Sequence, residues 1–172
     1  MQTLDSIQAR RNVRQYTDQP IARDDLERIL DAGRRTPSAG NWQPWNFVVV
    51  TDRDELVELA KAWERGGRHI AKSAATIAFV VKEPDDTRQR DLLMYDLGQA
   101  TTNIMLAAAD LGIGSGHSAV SDQTQAQRVL GFPDGYFAAF MIGLGYPADR
   151  PLRPQLRPDR RPLAEVVHWG RW

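Results

Sequence analysis

Pro147, Pro151, Pro154, Pro158 and Pro162 punctuate the last stretch of the chain, Gly145–Trp172, and no helix or interior strand survives that spacing. Proline fixes its own φ and removes an amide donor, so this segment has to run extended over a surface. Regular structure must therefore be complete by about residue 145 of 172, which leaves room for one domain, spanning 1–172, with one core. A long stiffened tail on so small a body needs something to lie on, and a second subunit is the natural candidate.

Upstream of the tail, apolar spacing and punctuation outline the elements. Leu4 and Ile7 open a short helix that runs on into Arg10, Arg11 and Arg14. Asp24 and Asp25 open a second, with Leu26, Ile29 and Leu30 on one face and Pro37 as its stop. The turn-rich run Ser38–Pro44 leads into a strand over Phe47–Val50. A capping box from Thr51 to Asp54 starts a third helix, with Leu56, Leu59, Ala60 and Trp63 as its buried stripe. Thr76–Val81 is a strand, followed by a polar loop over Lys82–Arg90. The longest helix runs from Asp91 to Leu111; its second half is apolar on nearly every side, which makes it central or interfacial, and Gly112 suits its C-terminus. Ile113–Val120 is extended, Ser121 and Asp122 cap a helix through Leu130, and Phe137–Leu144 is a last strand. Few strands, several helices and no strict alternation favour an α+β fold over a doubly wound sheet.

Charge narrows the function. With 22 basic and 22 acidic side chains there is no bulk field to draw the chain to nucleic acid or to a membrane surface, so any anion site is local. The absence of cysteine removes disulfides, thiolate metal sites and cysteine nucleophiles, and suits the cytoplasm. No apolar run approaches the ~18 residues of a membrane span, and the start lacks a signal pattern, so a soluble, unprocessed protein is expected.

Two groups of residues could hold an anion or a flat ligand. Arg10, Arg11 and Arg14 lie near one end, and Arg157, Arg160 and Arg161 near the other; guanidinium groups from both could converge on one phosphate or carboxylate. On a helix, Arg10 and Arg14 would point the same way. The blander alternative is a pair of solvated basic faces. In the loop Pro37–Pro44, Gly40 permits close backbone approach, Ser38, Asn41 and Gln43 offer polar groups, and Trp42 and Trp45 could cover an apolar ring face. That loop could equally be an ordinary helix-to-strand connection.

Other patterns fail. Gly112–Ser118 is rich in glycine but follows a helix, and Gly143–Gly145 runs into Pro147, so neither meets the strand-then-helix context of a dinucleotide loop. His69, His117 and His168 are scattered, which argues against a metal centre, and no serine sits in a nucleophile elbow. Asp96, Gln99 and Asn103 recur at helical spacing and read best as a solvent-facing stripe. No set of side chains assembles acid–base or nucleophilic catalysis, so no catalytic side chain is assigned. An enzyme built on this chain would draw its chemistry from an organic cofactor.

Taken in order, Ile7-x-x-Arg10-Arg11-x-Val13-Arg14-x-Tyr16, Leu26-Glu27-Arg28-Ile29-Leu30, Pro37-Ser38-Ala39-Gly40-Asn41-Trp42-Gln43-Pro44-Trp45-x-Phe47, Asp96-x-Gly98-x-Ala100-x-x-Asn103-Ile104-x-Leu106-Ala107-Ala108, Leu111-Gly112-Ile113-Gly114-Ser115 and Arg160-Arg161-Pro162-Leu163-x-Glu165-Val166-Val167 resemble the FMN-dependent nitroreductase family along nearly the whole chain. The resemblance implies an α+β homodimer with a mixed sheet flanked by helices, a tail embracing the partner, and FMN at the interface. It further implies that Arg10, Arg11, Asn12, Arg14 and Arg160 hold the phosphate and ribityl end. Pro37, Ser38, Ala39, Asn41 and Gln43 would come from the partner's loop, and Gly114, Ser115 and Gly116 would lie against the ring. Relatives often place an asparagine and a lysine at the flavin's pyrimidine edge; this chain has Gly66 and His69 there, and Arg68 or His69 stands in. The chain also lacks room for a large helical insertion. The implied activity is ping-pong electron transfer from NADH or NADPH to a small-molecule acceptor such as a nitroaromatic or a quinone. A non-catalytic flavin binder, or a specialised flavin reaction such as dehalogenation, flavin cleavage or deazaflavin use, fits the same residues.

Overall fold

The computed structural model describes residues 3–155 and 158–172. Arg157, one of the predicted arginine group, lies outside the described residues. Four strands, β1 (Asn46–Val50), β2 (Ala75–Lys82), β3 (Gly114–Ala119) and β4 (Tyr136–Gly145), form a sheet in the order β1-β2-β4-β3. Every pairing within it is antiparallel. The parallel character of the expected mixed sheet is confined to one isolated bridge, Asn12 to Ser115 on the outer edge of β3.

Both faces of the sheet are covered, which explains why β2 and β4 are apolar without alternation. Side chains of Ala75, Ile77, Phe79 and Val81 join one core, with Leu26 and Ile29 of α2 (Arg23–Arg34) and Leu93, Leu97 and Ile104 of α4 (Thr87–Asp110). On the other face Ala78 packs with Leu56 and Leu59 of α3 (Arg53–Ala60), while Val80 meets Ala126 of α5 (Gln123–Leu130). The second half of α4 is central to its own chain, since Ile104, Met105, Ala108 and Ala109 are buried. Its exposed apolar residues lie in the first half, at Leu92, Met94 and Tyr95.

Three local expectations change. The N-terminal helix, α1 (Thr3–Ala9), stops before the arginines, because the next residues are captured by the sheet. Val13 N–H donates to Ser115 O at 2.9 Å, Tyr16 bridges to Pro147, and Val13 is buried. Arg10 and Arg14 therefore share no helical face. The cap of α3 is Asp52, whose carboxylate accepts from the Asp54 and Glu55 amides, both at 3.0 Å, in place of Thr51. Helix α4 begins four positions earlier than Asp91, capped by Asp86, which accepts from Gln89 N–H at 2.7 Å. At its far end Gly112 adopts φ 74°, the left-handed turn that glycine permits.

The tail runs back along the N-terminal segment. Thr17 N–H donates to Tyr146 O at 2.9 Å, Ala148 N–H to Gln15 O at 3.0 Å, and Gln155 N–H to Gln8 O at 3.2 Å. Beyond a single turn at Leu163–Glu165 it carries exposed Leu163, Val166, Trp169 and Trp172. Among the described residues no helix is long and apolar enough to cross a membrane.

Candidate flavin site

The two ends of the chain meet. Gln8, Arg10, Arg11, Asn12, Gln155 and Arg160 line one cavity of about 440 Å³, completed by Ile7 and Pro158. Among the described residues its polar lining consists of guanidinium and amide groups with no carboxylate, a donor set suited to a phosphate monoester. The arginines divide their work. Arg11 is tied down: its Nη2 donates to Asp149 Oδ1 and to Arg150 O, both at 2.7 Å, which fastens the tail to the N-terminal segment. Hydrogen bonding from Arg11 holds the Asp149 carboxyl below the usual carboxylate range. Arg160 donates to the carbonyl of its neighbour Asp159 at 2.6 Å and is otherwise exposed. Arg10 has no side-chain partner among the described residues, so its guanidinium is free for a ligand.

Arg14 opens elsewhere. With Arg65, Gly66, Arg68, His69, Ala71 and Lys72 it lines a second cavity of about 670 Å³. His69 forms part of its floor, nearly closed to solvent; Nδ1 lies 2.9 Å from Gly66 O and Nε2 3.1 Å from Gly116 O. Burial pushes the His69 pKa down, the two carbonyls push it up, and Arg14 and His117 push it down again; the net shift is downward. A neutral ring donates to only one of those carbonyls, so the other nitrogen faces a carbonyl oxygen without a proton between them.

Between the two cavities the segment Asn12–Tyr16 lies on a floor of glycine. A Cβ at Gly114 would stand 2.7 Å from the Val13 side chain, one at Gly116 would stand 2.5 Å from Val13 O, and one at Gly145 would stand 2.7 Å from the Tyr16 ring. Such approaches are closed to any residue with a side chain. Tyr16 fixes the segment from above, with its hydroxyl 2.8 Å from Val13 O and 3.0 Å from Gly143 O, and burial raises its pKa.

The loop Pro37–Pro44 lies apart: Pro37, Ser38, Ala39, Asn41 and Gln43 line neither cavity of their own chain. Its backbone is held in a costly shape, with Asn41 at φ 57° and Gln43 at φ 51°. Ser38 Oγ accepts from Gln43 N–H at 2.9 Å, and Gln43 Nε2 donates to Asn41 Oδ1 at 3.1 Å. The external anchor is Asp96, whose Oδ2 accepts from Ala39 N–H at 3.0 Å. Asp96 is buried and braces the loop, and Asn103 donates to Thr36 Oγ1 at 2.8 Å at the end of α2, so two of the three residues of α4 read as a solvent-facing stripe are held inside the protein.

Sequence reasoning thus found Arg10, Arg11, Asn12 and Arg160, which the fold gathers, and Arg14 with His69, which it sets in the neighbouring cavity. It passed over Gln8, Gln155, Arg65 and Lys72. Arg65, Arg68 and Lys72 follow one another at steps of three and four, a spacing that could have marked them as one basic face.

The nitroreductase family matches residues 7–79 and 59–146. A protein of Archaeoglobus fulgidus with the provisional name NADH dehydrogenase/NAD(P)H nitroreductase is 35% identical over 98% of each chain. The structure of NADPH:FMN oxidoreductase from Vibrio harveyi complexed with NAD+ aligns with TM-score 0.83 at 26% identity, covering 99% of this chain and 77% of that one. An FMN-dependent nitroreductase from Clostridium difficile R20291, at 23% identity, shares the fold with TM-score 0.84 over 98% of this chain and 99% of its own. With its sequence matched from Ile7 through Tyr146 and its fold shared end to end, the chain belongs to the nitroreductase family.

Proposed function

We propose that the protein is an FMN-dependent NAD(P)H oxidoreductase working as a homodimer. The observation that carries the reading is the convergence of Arg10, Arg11, Asn12 and Arg160, from opposite ends of the chain, on one cavity with no acid among the described residues of its lining. That donor set fits a phosphate monoester of charge about −2. When bound, FMN supplies the redox chemistry that no side chain here offers, taking hydride from NAD(P)H and passing electrons to a nitroaromatic, quinone or similar acceptor in ping-pong order.

The chain's own part is positional and electrostatic. Arg10 and Arg160 hold the phosphate, Arg11 locks the tail so that Arg160 stays in reach, and Gly114 and Gly116 let the segment that carries Asn12 and Arg14 lie close on the strand. Arg14, flanked by Arg68 and Lys72, brings positive potential to the neighbouring cavity and favours negative charge developing on a ligand there.

Dimerisation is part of the same reading. The rigid loop Ser38–Gln43, braced by Asp96 but outside its own chain's cavities, is presented outward for a second protomer. Exposed Leu92, Met94 and Tyr95 on α4, Leu4 and Ile7 on α1, and the tail residues Trp169 and Trp172 support a covered apolar surface.

The purified protein is expected to be yellow, to bleach with NADPH or NADH under nitrogen, and to oxidise the donor continuously once a nitroaromatic or quinone is added. A single bleach without turnover would mark a storage or sensing protein. A colourless protein that takes up no FMN would refute the reading.

A further inference from the structure

His69 is a titratable group to which the proposed reaction gives no step. The residue is 3% exposed, and each ring nitrogen faces a backbone carbonyl, Nδ1 at 2.9 Å from Gly66 O and Nε2 at 3.1 Å from Gly116 O. Both nitrogens are thereby committed, so the ring offers a ligand no N–H of its own. Both carbonyls receive a hydrogen bond only when both nitrogens carry protons, which is the imidazolium form. The pocket around the ring is shaped for a cation.

Its surroundings oppose that cation. Burial disfavours the charge, and Arg14 on the segment Asn12–Tyr16 and His117 on β3 act against it as well. Arg65, Arg68 and Lys72 line the same cavity, and among the described residues no carboxylate joins them there. Tyr16 is no counter-ion either. A Cβ at Gly116 or Gly143 would stand 3.3 Å from its hydroxyl oxygen and 3.3 or 3.4 Å from the His69 ring, so the two side chains rest on one glycine floor. The Tyr16 hydroxyl is directed at Val13 O and Gly143 O, and burial keeps it un-ionised. What the ring lacks is a negative charge in the cavity.

On the oxidoreductase reading, on which this inference rests, that charge arrives with the electrons. Hydride transfer moves two electrons and one proton from NAD(P)H to the flavin; the donor leaves as NAD(P)+ and the ring system is left with about one negative charge. We propose that His69 takes up one proton from solvent as the flavin is reduced and returns it as the flavin is reoxidised. FMN, NAD(P)H and one solvent proton then give the reduced flavin anion, protonated His69 and NAD(P)+, and charge balances. The imidazolium matches the new charge without touching the flavin, and both facing carbonyls gain a hydrogen bond.

The test uses FMN-loaded protein carrying isotope-labelled histidine, of which the chain has three, with H69Q, H117Q and H168Q to assign the ring-nitrogen NMR signals. At pH about 6.5, the ordinary histidine value, His69 in the oxidised protein is expected to carry one ring proton. In the fully reduced protein at the same pH, the fraction carrying two should be at least about fivefold larger. Under nitrogen in weakly buffered solution, reduction by stoichiometric NADPH or NADH should draw at least about half a proton per flavin from solvent, an uptake lost in H69Q. If H69Q fails to fold, the other two variants assign His69 by elimination and the labelled parent protein still decides. A His69 ring with the same number of protons in both states, or an uptake that persists in H69Q, would overturn this inference and leave the oxidoreductase reading standing. Bleaching by neither donor would overturn both.

Discussion

Replacing Arg10 and Arg160 together with glutamine is expected to weaken FMN binding by about a hundredfold or more, with each single change costing roughly tenfold. The estimate follows from hydrogen bonds between charged partners, each worth about 1.5–3 kcal/mol when the partner is otherwise left unmatched. These two residues are the appropriate targets because Arg10 has no partner to lose among the described residues and Arg160 donates only to its own neighbour's carbonyl. Arg11 should behave differently. Its guanidinium is committed to Asp149 and Arg150, so R11Q loosens the tail and acts on FMN through Arg160. Fluorescence titration with FMN measures all three, and an undiminished affinity in R10Q/R160Q would mean that the phosphate sits elsewhere.

The second large effect is expected from a single methyl group. Gly116→Ala places a Cβ 2.5 Å from Val13 O and 3.3 Å from both the His69 ring and the Tyr16 hydroxyl oxygen. The nearest of these is a backbone atom, which cannot swing aside as a side chain can, so the segment Asn12–Tyr16 must lift from the edge of β3. The Val13 N–H to Ser115 O bond and the Asn12 to Ser115 bridge would be strained or lost. Overpacking of this kind costs about 1–3 kcal/mol, which for a domain of this size lowers Tm by roughly 3–10 °C. Because the same segment carries Asn12 and Arg14, FMN affinity should fall at least about tenfold along with Tm. Thermal melts with and without FMN check both, and an unchanged melting point would contradict the packing described.

The elements that were legible in the sequence are those whose burial is written in consecutive residues. The run from Thr76 to Val81 is a strand because both of its faces are covered, and Leu26, Ile29 and Leu30 mark α2 because one face is. What was illegible depends on residues far apart. Nothing near Arg10 announces that Val13 pairs with Ser115, so the helix reading ran on through an extended segment. The polarity of Asp96 suggested solvent, whereas its partner, the amide of Ala39, lies 57 positions away. The early start of α4 is a different case: Asp86 takes the Gln89 amide while Gln89 Oε1 takes the Asp85 amide at 2.7 Å, a reciprocal cap that could have been read from the sequence.

The candidate site divides in the same way. The pooling of Arg10 with Arg160 was one of two readings that the arginine groups left open, preferred through the family resemblance, and the cavity they share supports it. The second cavity was named in part, through Arg14, Gly66, Arg68 and His69, while Arg65 and Lys72, on the irregular stretch before β2, were passed over although their spacing with Arg68 could have marked them.

The account turns on a phosphate held between the two ends of one chain, and the contrast between FMN and riboflavin isolates that phosphate. Calorimetric titration of flavin-free protein is predicted to give an affinity for FMN at least about a hundredfold above that for riboflavin, a gap that closes when Arg10 and Arg160 are both glutamine. Equal affinity for the two flavins in the parent protein would contradict it.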